Sequence, residues 1–312
     1  MTSIKKILIT GANGFIGAHL SRRLLQEKFE VGILKRETSD LSRIRDIIPD
    51  LKCYNGDVRD QESIFSTYKD FCPDAVMHLV TYYKIEHAAS DVPLMADTNI
   101  RGTLNLLESA KDTGVGLFVN TSSCAVYRLA NHSLKESDPI APQNLYALTK
   151  QHSEEECRFY ADYFGLNTVS LRMFPPYGPG DHERRLIPHV ILSLLNNRMP
   201  DLTTGKQLWD FVFIDDIINA YLAVIQYSSA IKGHEIFNIG TGSPVSVRDM
   251  VMEIMKQMDV RGEPRFGAIP HRKNDVRYNS ADITKAKNVL GWEPRFSLEK
   301  GVEKTIEYFR KK

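Results

Sequence analysis

Short, near-continuously apolar runs alternate with helix-period stretches through the first half of the chain. Lys6–Thr10 (KILIT), Glu30–Leu34, Lys52–Tyr54, Asp74–Leu79, Gly116–Thr121 and Thr168–Phe174 each carry the strand signal. Between them, Gly14–Glu27 places Phe15, Ile16, Leu20, Leu24 and Leu25 at helical spacing, and Asp91–Asp112 and Asn144–Phe164 also read as helices. Strands that are apolar throughout, separated by helices, predict a parallel sheet covered on both faces. The expected class is α/β: a Rossmann-type, doubly wound parallel sheet with a smaller C-terminal substrate-binding lobe.

The alternation breaks at Pro175-Pro176-Tyr177-Gly178-Pro179-Gly180, a run that can continue neither helix nor central strand. Ile236–Ile239 looks like one more buried strand that rejoins the sheet. The expected division is residues 1–176 plus about 209–258 for the Rossmann-type sheet domain, with about 177–208 and 259–312 for the lobe.

Composition narrows the partners. Lys plus Arg (40) nearly cancel Asp plus Glu (39) over 312 residues, so no strong field points to nucleic acid or an acidic membrane. No run of about 18 apolar residues exists, and the N-terminus lacks the apolar core of a secretion signal. Cys53, Cys72, Cys124 and Cys157 show no metal spacing and are expected as buried thiols, so no metal site is expected and the compartment reads as reducing cytoplasm.

Thr10-Gly11-Ala-Asn-Gly14-Phe-Ile-Gly17 follows the first strand and opens the first helix. Gly11 allows the tight turn, Gly14 lets the backbone approach a pyrophosphate, and Gly17 permits close helix–sheet packing. The helix N-terminus then offers N–H groups to phosphates. The second strand ends Ile33-Leu34-Lys35-Arg36, with no acid before Glu37 to accept from a ribose 2′-hydroxyl. Two cations in its place suit a 2′-phosphate, which favours NADP(H) and leaves NAD(H) as the alternative.

Tyr146-Ala-Leu-Thr-Lys150 sets a phenol and an ammonium one helical turn apart, just after Thr121-Ser122-Ser123 closes a strand. A phenol working near neutrality needs its pKa lowered by about 3 units, roughly 4 kcal/mol of phenolate stabilisation, and an adjacent cation contributes to it.

Those motifs resemble an extended short-chain dehydrogenase/reductase of the nucleotide-sugar epimerase/dehydratase family. The likeness continues in Gly56-Asp57-Val58, His78-Leu79, Asn99 of NIRGT, TSSCAVY (Thr121–Tyr127), LRMFPPYGPG, DFVFIDDI (Asp210–Ile217), FNIG (Phe237–Gly240) and ADITKAKNVLGWEP (Ala281–Pro294). The resemblance implies that Ser123 hydrogen-bonds the reacting oxygen, Tyr146 is the acid/base, and Lys150 holds the nicotinamide ribose and lowers the Tyr146 pKa. It implies a cofactor site of Gly11, Asn13, Gly14, Phe15, Ile16, Gly17, Lys35, Arg36, Asp57, Val58, Leu79, Val80, Asn99, Tyr146, Lys150 and Phe174, with Asp57 on the adenine. For the nucleotide-sugar substrate it implies Ser123, Pro175, Arg184, Arg185, Trp209 and Arg272. It also implies a homodimer through the helices at Asp91–Asp112 and Asn144–Phe164.

Departures narrow the reaction. The family's 4,6-dehydratases carry Asp-Glu immediately after the triad serine or threonine, where this chain has Cys124-Ala125. Enzymes that epimerise by proton abstraction use a cysteine two residues after the serine, where Ala125 stands. The family's asparagine for the diphosphate is replaced by Pro175, and Trp209 stands where arginine is frequent; its indole either stacks on a base or sugar or belongs to the core. The leading reading is NADPH-dependent reduction of an NDP-4-keto-6-deoxyhexose, in the manner of the enzymes that make CDP-paratose or CDP-abequose. The alternative is an NAD-dependent NDP-hexose 4-epimerase, and a distant third is an inactive cofactor-binding scaffold.

Overall fold

The computed structural model describes residues 4–271 and 276–312. The chain divides into two compact units. The first comprises the described chain up to Arg128, Pro139–Met173 and Ile218–Phe237; the second comprises Leu129–Asp138, Phe174–Ile217 and the described part of Asn238–Lys312.

The core of the first unit is a seven-stranded sheet. Its strands are β1 (Lys6–Thr10), β2 (Glu30–Lys35), β3 (Lys52–Asn55), β4 (Ala75–His78), β5 (Leu117–Ser123), β6 (Thr168–Met173) and β7 (His234–Ile239). They lie in the order β7-β6-β5-β4-β1-β2-β3, and the pairings among β1 to β6 are all parallel. This is the doubly wound, Rossmann-like arrangement expected of apolar runs separated by helices. Ile7, Leu8 and Ile9, or Val76 and Met77, are buried on both faces because helices cover each side.

Those helices are α1 (Phe15–Gln26), α2 (Gln61–Phe71), α3 (Val92–Ala96), α4 (Gly102–Thr113) and α5 (Leu145–Phe164). Local chemistry sets their ends: Asn144 caps α5 by accepting from Ala147 N at 2.9 Å, and Gly165, at φ +70, closes it. The expected single helix over Asp91–Asp112 is interrupted. A π-helical stretch, Asp97–Arg101, separates α3 from α4 and carries Asn99. Nothing in the hydrophobic period announces it, because a π turn adds a residue without changing composition.

The cysteine expectation needs correction. Only Cys157 is buried; Cys53 and Cys72 are exposed and Cys124 is half-buried. Cys53 lies on β3, the edge strand, and Cys72 ends α2 in a left-handed conformation at φ 50.

The second unit is tied together by buried carboxylates. Asp210 accepts from Thr241 N (2.7 Å), Thr241 Oγ1 (2.6 Å), Gly242 N (2.9 Å) and Ala281 N (2.9 Å). Asp216 accepts from Arg295 N at 2.9 Å and Phe296 N at 3.1 Å, and burial raises its pKa against those hydrogen bonds. The Asp-rich motif of Asp210–Ile217 therefore organises loops. No helix among the described residues is long and apolar enough to cross a membrane.

Candidate functional site

The glycine-rich turn leaves β1 at Thr10 and enters α1 at its N-cap, Gly14. Gly11 adopts φ +76, and a Cβ there would sit 2.7 Å from Val80 N. A Cβ on Gly17 would stand 2.2 Å from the Gly11 carbonyl oxygen, so α1 can lie this close to the turn only with hydrogen at that position. Gly14 N–H bonds Gly11 O at 3.0 Å, and Gly14 has no side chain to cap the helix. The first turn of α1, with Phe15 and Ile16 half-buried, thus presents backbone N–H groups suited to a pyrophosphate. Asn13 sends its amide to Asp40 O at 3.0 Å and steadies the loop after β2.

Across the sheet edge, Lys35 Nζ is held by Asn55 and the Arg36 side chain is exposed. Asp57 forms a two-point pair with Arg59 (Nε to Oδ1 3.0 Å, Nη2 to Oδ2 2.6 Å) and also accepts Arg59 N at 3.0 Å. The Arg59 guanidinium, with a smaller contribution from Arg36, holds the Asp57 carboxyl below its usual range. Arg59 escaped the sequence reading; its position two residues past Asp57 was the available signal. Val58 is buried, and its carbonyl accepts Asn105 Nδ2 at 3.0 Å. Leu79 and Val80, after β4, bond back to Thr10 through their N–H groups at 3.1 and 3.4 Å.

Asn99 is buried, and its amide is fully used. Its oxygen accepts from Tyr82 N (2.7 Å) and Thr81 Oγ1 (3.2 Å); its nitrogen donates to Tyr82 O (3.1 Å) and Thr149 Oγ1 (3.0 Å). Thr149 in turn donates to Tyr146 O at 2.8 Å. Asn99 therefore clamps the loop after β4 to α5. His78, bridging Thr10 Oγ1 (2.8 Å) and Thr103 Oγ1 (3.1 Å), is pushed down to about 3 by burial and, less, by the Lys150 charge. It stays neutral and structural.

Ser123 ends β5, and its hydroxyl oxygen accepts from Ala125 N at 3.2 Å. Lys150 is buried, and Nζ donates to Thr121 O at 2.6 Å, two residues before Ser123. Burial, opposed by the Glu154 charge, moves its pKa down to about 8. Tyr146 is 8% exposed, and the ring of Tyr83, itself 60% exposed, meets it edge-on with centroids 4.8 Å apart. Neither Tyr83 nor Glu154 was read from sequence, although Glu154 follows Lys150 by one further turn on the same helix face.

The second unit holds the remaining candidates. Phe174 is fully buried and its N–H bonds Ile239 O at 2.9 Å; the Pro175 carbonyl accepts Val212 N at 3.0 Å. Arg184 is exposed, while Arg185 leans on buried Asp181 at 3.6 Å. Trp209 gives its indole N–H to Val276 O at 2.7 Å and packs on Phe211 with centroids 5.9 Å apart. Those contacts fix the indole, which stays half-exposed. Arg272 lies outside the described residues.

A Gly-rich turn at a strand–helix junction, followed by serine, tyrosine and lysine gathered at β5 and α5, is the plan of one known group. The model of the NAD dependent epimerase/dehydratase family matches residues 7–240. The chain belongs to that family. Within it, the chain is similar to a CDP-abequose synthase of Salmonella typhimurium, 29% identical over 317 aligned residues covering 98% of this chain and 99% of the relative. Its fold is similar to a UDP-glucose 4-epimerase of Thermotoga maritima solved with UDP-glucose (TM-score 0.89, 28% identity, 98% and 99% covered). A UDP-glucose 4-epimerase of Thermus thermophilus, solved with NAD, gives a TM-score of 0.88 at 25% identity, with the same coverage. The chain is thus a nucleotide-sugar enzyme of the NAD-dependent epimerase/dehydratase family.

Proposed function

We propose that the protein is an NADPH-dependent reductase of the 4-keto group of an NDP-4-keto-6-deoxyhexose. The observation that carries hydride chemistry is the convergence of Lys150 and Ser123 on one strand end, with Tyr146 one turn before Lys150. The turn at Gly11, Gly14 and Gly17 is shaped for a dinucleotide, which supplies hydride to the sugar carbon when bound. Tyr146 gives its proton to the ketone oxygen, and Ser123, whose oxygen is already engaged by Ala125 N, directs its own hydrogen to that oxygen. Below about pH 8 Lys150 is cationic and favours the phenolate left behind.

Cys124-Ala125 stands in place of the dehydratases' Asp-Glu, and Ala125 offers no thiol two residues after Ser123, which favours reduction or a two-step hydride exchange. Lys35 and Arg36 at the end of β2, with no acid between them and the strand, support NADP(H). Likeness to a CDP-abequose synthase supports the reductase. Likeness to UDP-glucose 4-epimerases supports the second reading, an NAD-dependent NDP-hexose 4-epimerase. We place the enzyme in the cytoplasm, which suits four cysteines that form no disulfide among the described residues. Exposed Leu104, Leu148, Phe159, Tyr163 and Phe164 on α4 and α5 support a homodimer.

The test is mass spectrometry of the purified protein for bound cofactor, followed by assays with a 4-keto sugar nucleotide plus NADPH and with an NDP-hexose alone. One-way reduction with freely exchanging NADPH is the expected result. Interconversion of C4 epimers by protein carrying tightly held NAD assigns the epimerase instead.

A further inference from the structure

Behind Ser123, Tyr146 and Lys150 lies a buried polar cluster that the proposed reaction does not itself use. Glu154 and Arg172 are each 1% exposed and joined at two points, Nε to Oε1 at 3.0 Å and Nη2 to Oε2 at 2.7 Å. Ser122 donates its hydroxyl to Glu154 Oε1, and the Arg172 guanidinium lies over the Tyr127 ring at 4.6 Å. An arginine inside a fully buried strand, β6, is costly unless its charge is met, and one carboxylate meets it.

The connections reach further than one ion pair. Ser122 sits between Thr121, whose carbonyl takes the Lys150 proton donor, and Ser123. Glu154 stands one turn after Lys150 and two after Tyr146 on α5. A single carboxylate therefore ties the end of β5 to the helix carrying the phenol and ammonium, and to β6. We infer that Glu154 is a positioning residue for the reacting group: clamped by Arg172, it holds the strand end bearing Ser123 and serves as the buried counter-charge of Lys150. This rests on the reading of Lys150 given under the proposed function.

Charge balance supports it. Two cations, Lys150 and Arg172, and one anion, Glu154, are buried together, so removing Glu154 leaves two cations facing each other's region without compensation. The other titratable groups around them, among the described residues, include His78, which stays neutral, Cys157, whose thiol burial holds protonated, the Tyr127 phenol, and Tyr221, whose hydroxyl meets Thr121 Oγ1 at 2.6 Å and whose proton burial retains. None supplies a negative charge in Glu154's place.

The experiment follows the Lys150 side chain by carbon-13 NMR of its ε-methylene, identified by its loss in Lys150→Met. It compares wild type with Glu154→Gln, with Glu154→Asp, and with Glu154→Gln/Arg172→Gln. The double variant carries no unpaired buried charge and keeps the question answerable where the single variant fails to fold. Loss of an opposite charge one helical turn away lowers a lysine midpoint, by up to about 1–3 pH units where the two charges are close. The expected result is that fall in Glu154→Gln, a smaller fall in the double variant because it also removes the Arg172 cation, a parallel downward shift of the basic limb of the kcat profile, and near-wild-type behaviour in Glu154→Asp. An unchanged midpoint in a folded Glu154→Gln or double variant overturns the inference. Normal turnover of Lys150→Met would instead defeat the reading of Lys150 in catalysis, and the NMR midpoint separates that outcome from this one.

Discussion

Lys150 donates from Nζ to the carbonyl oxygen of Thr121 at 2.6 Å, so this ammonium is tied directly to the strand end that carries Ser123. An ammonium has three donors. The backbone takes one and locks the helix to the strand; the others are directed by a side chain that can no longer swing away. Catalytic groups need this kind of fixed support, because a displacement of about 1 Å costs about 100-fold in rate.

Removing the three groups should therefore have separable effects. Tyr146→Phe is expected to keep the fold and cofactor affinity while turnover drops by about 10²–10⁴-fold, the usual contribution of a general acid. Ser123→Ala should lose less, since it removes one donor to the developing oxyanion. Lys150→Met should lose rate and cofactor affinity together. Single-turnover rates and cofactor titrations on each variant check this, and near-normal turnover in Tyr146→Phe removes the phenol from the mechanism.

Cofactor choice turns on the end of β2. Each charge-assisted contact contributes about 1.5–3 kcal/mol, so Arg36→Ala should weaken NADPH binding by roughly 10- to 150-fold and leave NADH nearly unchanged. Added salt should erode the wild-type preference, because Arg36 is exposed. Titration of both reduced cofactors at two ionic strengths measures it; equal wild-type affinities would sink the phosphate site.

Glu156, one turn before Tyr160 on α5, is pushed up to about 8 by burial, and its Oε2 is buried with no hydrogen-bond partner among the described residues. The folded state holds this proton where the unfolded chain, near 4.5, releases it. Stability from this group is thus full below about pH 4.5 and lost as pH rises through about 8. Glu156→Gln should remove that slope, because an amide does not titrate here, so its effect on stability should be more favourable at pH 8.5 than at pH 5. Denaturant midpoints at pH 5 and pH 8.5 test it: an equal effect at both would show that no proton is involved.

The turn at the start of α1 offers a contrast between two glycines. Gly17→Ala drives a methyl to 2.2 Å from the Gly11 oxygen, so the loop must open and dinucleotide affinity should collapse. At Gly114 a Cβ meets nothing within 4 Å, and only its φ of +73 is unfavourable. Gly114→Ala should cost about 1–2 kcal/mol of stability and no cofactor affinity. Thermal melts with and without NADPH distinguish the two.

Much of this was readable from residue order. The strands were legible within about two residues at each end because apolar runs of this length, bounded by turn residues, are hard to mistake. The Gly11-to-Gly17 turn and the Tyr146–Lys150 pair were legible because their chemistry demands fixed spacing. Three features were not. The π turn at Asp97–Arg101 has no compositional mark. The Glu154–Arg172 pair joins residues on separate elements, where an arginine in TVSLRMF read simply as a strand residue. The partner of the Trp209 indole N–H, Val276 O, lies far along the chain and has no mark in the local sequence.

The discontinuity of the first unit has a consequence during synthesis. Its sheet includes β7, whose first residue is His234, yet the chain between Phe174 and Ile217 belongs to the second unit. A nascent chain leaving the ribosome in order must expose β6 without its neighbour while that entire intervening segment is translated. The second unit finishes later still, since Ala281 N is one of the donors that saturate Asp210. Neither unit can close before the other has begun, so β6 emerges as an unpaired sheet edge and stays one until β7 follows it out.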